Sequence, residues 1–206
     1  FDGQLPSKEQ VLSALEKALK DRIVAGKGLD SITFSGNGEP TMHPDFAAIV
    51  DGVIHLRNLY FPETKVSVLS NASLLRKAEV RSALRKVDNP ILKIDSAIEQ
   101  TQQLINKPQF PLDMKFMIEE MKQFRGRLIV QTMFVRGVVD GIPVDNTTEE
   151  ELNAWLGVLR QITPSMVMLY SLDRPTPSSA LEKVSAEELK QIAQRASKLG
   201  INVFVA

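Results

Sequence analysis

The 206-residue chain has no cysteine, one tryptophan, two tyrosines and two histidines, and its 25 basic and 25 acidic side chains cancel. Without thiols, disulfides and every thiolate metal site are excluded within these residues. The balanced charge gives no general field for holding nucleic acid or an anionic membrane surface. No apolar run reaches the roughly 18 residues that span a bilayer, and the N-terminus has neither a basic start nor an apolar signal segment. The chain reads as soluble and cytoplasmic, with no membrane partner. No glycine-rich dinucleotide fingerprint follows a strand-like run, which argues against a nucleotide-binding open sheet. There is no short repeat. Because the first residue is Phe1 rather than Met, the chain is expected to be a piece of a longer one.

What is present is enough apolar surface, 43% of residues, for one domain spanning 1–206. Short runs rich in Val, Ile, Leu and Phe predict buried strands at Ser31 to Ser35, Lys65 to Ser70, Ile91 to Asp95, Leu128 to Phe134, Met166 to Leu172 and Ile201 to Val205. Helical patterns lie between them. Ser7 with Gln10, Thr147 with Glu150 and Ser185 with Glu188 are capping-box pairs, and Gly26 and Gly200 are stop signals. Weaker helices are expected over Asp45 to Asn58, Ser73 to Val87 and Leu112 to Phe124. Met114, Met117 and Met121 sit at helical spacing and read as core. The alternation predicts an α/β fold with parallel strands and right-handed crossovers, in an open sheet or a barrel. Polar residues gather at the C-terminal ends of successive strands, where barrels carry their sites, and this favours a partial (β/α) barrel. The segments 136–146 and 173–183 read as long loops covering that rim.

The first rim segment is Ser35-Gly36-Asn37-Gly38-Glu39-Pro40. Gly36 and Gly38 let the backbone approach a ligand closely, and Pro40 holds Glu39 extended. Such a turn suits a small cation, an ammonium above all; an ordinary strand-to-helix turn is the alternative. His43, near Glu39 and Asp45, could ligate a metal or be fixed by a main-chain hydrogen bond. Ser70 with Asn71, and Asp95 with Ser96, offer the donors and acceptors that suit sugar hydroxyls, or else cap helices. Lys93 would be a charge inside an apolar strand, so its pairing with Asp95 makes sense beside a charged ligand.

The stretches ITFSGNGEPTMHPDF, VSVLSNASLL, LKIDSA and YSLDRPTPSSALEKVSAEELKQIA together resemble the radical S-adenosylmethionine superfamily, in its iron-sulfur oxidoreductase or activating-enzyme-like branch. The resemblance implies a six-stranded partial barrel that binds S-adenosyl-L-methionine beside a 4Fe-4S cluster. It implies that Gly36, Asn37, Gly38, Glu39 and Pro40 meet the methionyl ammonium. Ser70, Asn71, Asp95 and Ser96, with Lys93 alongside, would meet the ribose or the carboxylate. Tyr170, Ser171 and Leu172 would face the adenine with their backbone, and Gln131 is assigned by position. Asn37 stands where the family has glycine. The family's CxxxCxxC loop is absent, so the first strand and cluster loop are expected to lie upstream, and this chain alone to be inactive. An electron donor such as flavodoxin or ferredoxin is implied, with a small molecule, a glycyl radical protein, a peptide or a tRNA base as substrate. Two other readings remain open: a cluster-free binding or scaffold module, and a metal-assisted hydrolase using Glu39, His43 and Asp95.

Overall fold

A computed structural model describes residues 5–35, 38–108, 113–172 and 180–206, which form two compact units. Gly36 and Asn37 of the rim turn lie outside the described residues, as does 173–179 of the second presumed cover.

The first unit begins with helix α1 (Lys8–Val24), whose N-terminus is closed reciprocally. Gln10 N–H donates to Ser7 Oγ at 3.2 Å, and Ser7 N–H donates to Gln10 Oε1 at 2.7 Å. Strand β1 (Ser31–Phe34) leads through a 3-10 turn (Pro40–Met42) to α2 (Phe46–Tyr60), β2 (Lys65–Ser70) and α3 (Ala78–Lys86). β1 and β2 pair in parallel, Ser31 opposite Lys65 and Phe34 opposite Val68. Phe46, Ile49, Val50 and Val53 of α2 are buried, with Val66 and Val68 on β2. α3 is shorter than its pattern because Asn71 and Ser73 do not start a helix: Ser73 N–H donates to Asn71 Oδ1 in a local turn.

A polar clamp closes the N-terminal end of β2. Arg57 on α2 donates to the Thr64 carbonyl and to Asp88 Oδ2, the latter at 2.8 Å, and Asp88 Oδ2 also accepts the Val66 N–H at 2.9 Å. Burial, the largest single influence, raises the Asp88 pKa, but the Val66 N–H and Arg57 together carry it below the ordinary value. A lowered carboxylate pKa stabilises the fold above the unfolded value, near 3.9, and that gain disappears as pH falls through the folded value. We therefore expect Asp88→Asn to cost about 2 kcal/mol at pH 7 and much less at pH 3. Urea midpoints at the two pH values test this; an equal cost at both would mean that the ionised form is not what matters.

Strand β3 (Asn89–Lys93) starts in the first unit and ends in the second. The second unit adds α4 (Glu99–Asn106), α5 (Met114–Lys122), β4 (Ile129–Met133), β5 (Val135–Val139), β6 (Ile142–Asp145), α6 (Glu149–Ile162), β7 (Met166–Tyr170), β8 (Leu181–Lys183), α7 (Ala186–Ser197) and β9 (Asn202–Val205). β3, β4, β7 and β9 pair in parallel, Lys93 opposite Gln131, Gln131 opposite Met168 and Met168 opposite Phe204. With β1 and β2 these are the six strands of the parallel sheet, and the α/β class expected from the sequence is borne out. Alternate residues Val130, Thr132, Val167 and Leu169 are buried, whereas Gln131, Met133, Met168 and Tyr170 are only partly covered. Met114, Met117 and Met121 are buried in the core.

Segment 136–146 is not a loop. It lies in an antiparallel hairpin, β5 with β6, to which β8 adds a third strand. Asp140 and Gly141 both take positive φ, 53° and 80°, the two-residue turn that matches strand twist. The cap of α6 is Thr148, not Thr147. The Thr147 hydroxyl is occupied elsewhere, donating to Asp145 Oδ1 at 2.6 Å and accepting from Arg136.

Candidate functional site

In the first unit the rim turn is built around Glu39. Its Oε1 accepts the Thr41 N–H at 3.1 Å, the Thr41 hydroxyl at 2.5 Å and the Ser70 hydroxyl at 2.7 Å. The carboxylate thus caps the 3-10 turn that Pro40 opens, and it ties the ends of β1 and β2 to one anion. At Gly38 a Cβ would meet no atom within 4 Å, so the backbone there borders open space. Beside the turn lies a cavity of about 570 Å³ lined by Leu5, Val11, Phe34, Gly38, Glu39 and Phe46 among others. Its walls are largely apolar, and the rim at Gly38 and Glu39 is the part suited to a cation. His43 is structural: Nδ1 accepts the Asp45 N–H at 3.0 Å, so Nε2–H donates to the Pro6 carbonyl at 2.8 Å. No group of three metal-ligating side chains exists among the described residues, so the metal-hydrolase reading finds no centre.

The second unit carries a denser cluster at the end of β3. The Asp95 side chain is fully buried; its Oδ1 accepts the Met133 N–H at 2.8 Å, and its Oδ2 lies 2.8 Å from Lys93 Nζ. That ion pair is not aligned as a hydrogen bond, and Oδ2 is left without a donor among the described residues. Lys93 also donates to Asn106 Oδ1 at 2.8 Å, and its charge acts on the Tyr170 hydroxyl. Burial, the strongest influence, pulls the Lys93 pKa down, but Asp95 and Tyr170 more than reverse it, so the ammonium stays charged. Burial raises the Tyr170 pKa, against the opposing pull of Lys93, so the phenol stays neutral.

Two residues that hold this cluster had not been singled out from the sequence. Gln102 Oε1 accepts the N–H groups of both Asp95 and Ser96, at 2.9 and 2.8 Å. Asn146 Nδ2 donates to the carbonyls of Asp95 and Met133, at 2.7 and 2.8 Å, and its Oδ1 accepts the Val135 N–H at 2.8 Å. Ser96 is turned to the fold: its hydroxyl donates to the buried Glu151 at 2.6 Å and accepts the Ile98 N–H. Ser171 likewise donates to the Phe134 carbonyl and accepts the Val184 N–H. The Tyr170 carbonyl accepts the Phe134 N–H. The Gln131 side chain is half-buried, and Leu172 follows at the end of β7.

This fold is that of the radical S-adenosylmethionine partial barrels. Over 99% of this chain and 58% of the other it superposes on a radical SAM methyltransferase from Sphaerobacter thermophilus, with TM-score 0.72 and 16% identity. Over 86% of this chain it superposes on 99% of a domain of pyruvate-formate lyase-activating enzyme from Bacteroides vulgatus, with TM-score 0.62 and 15% identity. No protein-family model matches.

Sequence relatives bear out the resemblance. A UPF0026 protein of Synechocystis is 33% identical over 72% of this chain and 52% of its own length. An S-adenosylmethionine-dependent nucleotide dehydratase of Danio rerio is 31% identical over 50% of this chain and 28% of its own. The GTPase Obg of Brachyspira hyodysenteriae is 27% identical over 84% of this chain and 24% of its own. The chain therefore spans about half or less of these curated relatives' lengths.

The residues fit the two expected groups unequally. In the first unit, Gly38 bordering open space and the fixed Glu39 carboxylate suit an ammonium; in the second, the buried Asp95 oxygen that lacks a donor among the described residues suits a hydroxyl. An iron-sulfur cluster does not fit these 206 residues, since they contain no thiolate to hold it.

Proposed function

We propose that this chain is the S-adenosylmethionine-binding core of a radical enzyme that abstracts hydrogen from its substrate. The observation that carries the reading is the turn at Gly38 and Glu39, where a carboxylate fixed by Thr41 and Ser70 lies beside an open glycine backbone. A pinned anion recognises an ammonium without reorganising, which is what makes such a site selective. Gly36, Asn37, Gly38, Glu39 and Pro40 would hold the methionyl ammonium. Ser70, Asn71 and Asp95 would contact the ribose or the carboxylate, with Lys93 supplying local positive charge and Ser96 keeping the segment in place. The backbone of Tyr170, Ser171 and Leu172 would lie beside the adenine, with Gln131 near it by its place in β4. The cofactor itself supplies the source of a hydrogen-abstracting radical.

With no cysteine among the 206 residues, we propose that they bind the cofactor but do not cleave it by themselves. The same absence favours, as second reading, a binding module without redox chemistry. In the radical reading a flavodoxin or ferredoxin would supply electrons. The substrate would be a small molecule, a glycyl radical protein, a peptide or a tRNA base. GTP hydrolysis is not carried over from the Obg relative, since no GxxxxGK[ST] phosphate loop occurs in this sequence.

Glu39→Gln tests the reading. Glutamine keeps an acceptor for Thr41 and Ser70 but removes the charge. By titration calorimetry, S-adenosylhomocysteine should bind the natural chain and bind Glu39→Gln about tenfold more weakly, as expected for one charge-assisted hydrogen bond, with an unchanged unfolding midpoint. Equal affinities would mean that the ammonium is held elsewhere.

A further inference from the structure

The partly covered face of β3, β4, β7 and β9 carries two polar groups that the protein leaves open. The first is the Tyr170 hydroxyl. Lys93 donates to Asn106 Oδ1 and is ion-paired with Asp95, so toward the Tyr170 oxygen it presents a positive charge and no acceptor. An ammonium cannot accept, and the Tyr170 O–H has no acceptor among the described residues. The second is the Gln131 amide, half-buried and without a side-chain hydrogen bond among the described residues. These two groups are neighbours. Tyr170 is opposite Met133 and Met168 is opposite Gln131, so Tyr170 and Gln131 are diagonal neighbours on the same face of β7 and β4. Lys93 is the register partner of Gln131 on the other side, so the three residues share one face.

We propose that Tyr170 and Gln131 together recognise the edge of a nucleobase belonging to the substrate. The Tyr170 O–H donates to a ring carbonyl or ring nitrogen, and the Gln131 carbonyl oxygen accepts the adjacent N–H. Nucleobase edges present an acceptor next to a donor on one side. A trans peptide points its N–H and C=O in opposite directions and cannot satisfy both groups at once. The charge of Lys93 is already matched by Asp95, so the pair addresses a neutral group rather than a phosphate or carboxylate. Around it the face is soft and flat. Met133 and Met168 flank Gln131, and the half-exposed Phe204 lies beyond Met168 in the same rung. Gln131 and Phe204 are two strand spacings apart, about 9.6 Å, room for a planar ring over the Met168 thioether.

This inference deepens the cofactor reading by naming a substrate class, and rests on it only in treating the ligand as substrate. The cofactor reading uses the Tyr170 main chain, and here its hydroxyl is used. Because the chain has two tyrosines, ζ-¹³C-tyrosine labelling gives two resonances, with Tyr60, bonded to Glu16, as internal control. Uridine and inosine are titrated with and without saturating S-adenosylhomocysteine, and a blocked peptide, acetyl-Ala-Gly-Ala-amide, is titrated separately. The expected result is saturable nucleoside binding that moves the Tyr170 signal, leaves Tyr60 in place and persists with the homocysteine compound present. Tyr170→Phe and Gln131→Leu should each weaken it about tenfold. Competition between nucleoside and S-adenosylhomocysteine would assign the face to the cofactor's adenine and overturn the proposal. So would a Tyr170 shift with the peptide alone, or no shift with any nucleoside. Failure of S-adenosylhomocysteine to bind, with nucleoside binding retained, would overturn the cofactor reading and leave this one standing.

Discussion

Asp95→Ala is expected to be the most damaging single substitution in the second unit, lowering stability by about 3–5 kcal/mol. Asp95 is fully buried and carries two obligations: it accepts the Met133 N–H and balances Lys93. Alanine leaves that N–H without a partner and an ammonium, 22% exposed, without its counter-charge. The cost is that of the abandoned charge rather than the worth of the pair, so a second change should recover it. Asp95→Leu combined with Lys93→Met removes both ions, and is expected to be markedly more stable than Asp95→Ala alone. Guanidinium unfolding midpoints of the three proteins decide the matter. A double variant no better than the single one would show that the Met133 N–H, not the charge, sets the penalty.

Asn146→Ala is expected to cost about 3 kcal/mol, although Asn146 touches no proposed ligand. Its amide serves three main-chain groups, the carbonyls of Asp95 and Met133 and the Val135 N–H, at a site 1% exposed. Removing it leaves all three without that partner where water cannot replace it. The same change should loosen the end of β3, and amide hydrogen exchange at Asp95 and Ser96 is expected to accelerate with the drop in unfolding midpoint. A full loss of stability with unchanged exchange at these two amides would mean that Asn146 supports the hairpin rather than the cluster.

The sequence made the parallel strands legible because each is a short apolar run, a pattern independent of distant partners, although β1 and β9, expected to be buried, are only partly covered. The same is true of α1 and α7, whose capping boxes are written in four consecutive residues. It was less informative where a role is settled from afar. Asn146 and Gln102 look like ordinary loop and helix residues until the backbone of Asp95 is brought against them. Thr147 and Thr148 are equivalent caps on paper, and only the demand of Asp145 and Arg136 for the Thr147 hydroxyl selects Thr148. The β5–β6 hairpin was signalled by Asp140-Gly141, but its alternating residues sit in a segment whose length suggested a cover. Ser96, picked out as a ligand contact by type, has a hydroxyl engaged by the protein, which side-chain chemistry alone does not reveal.

The most direct test of the central claim is an amide chemical-shift titration of the labelled chain with S-adenosylhomocysteine. The account predicts that Gly38 and Thr41 in one unit, and Lys93, Asp95 and Ser96 in the other, shift along curves with one common dissociation constant. Shifts confined to one of these groups, or two unrelated constants, would contradict it.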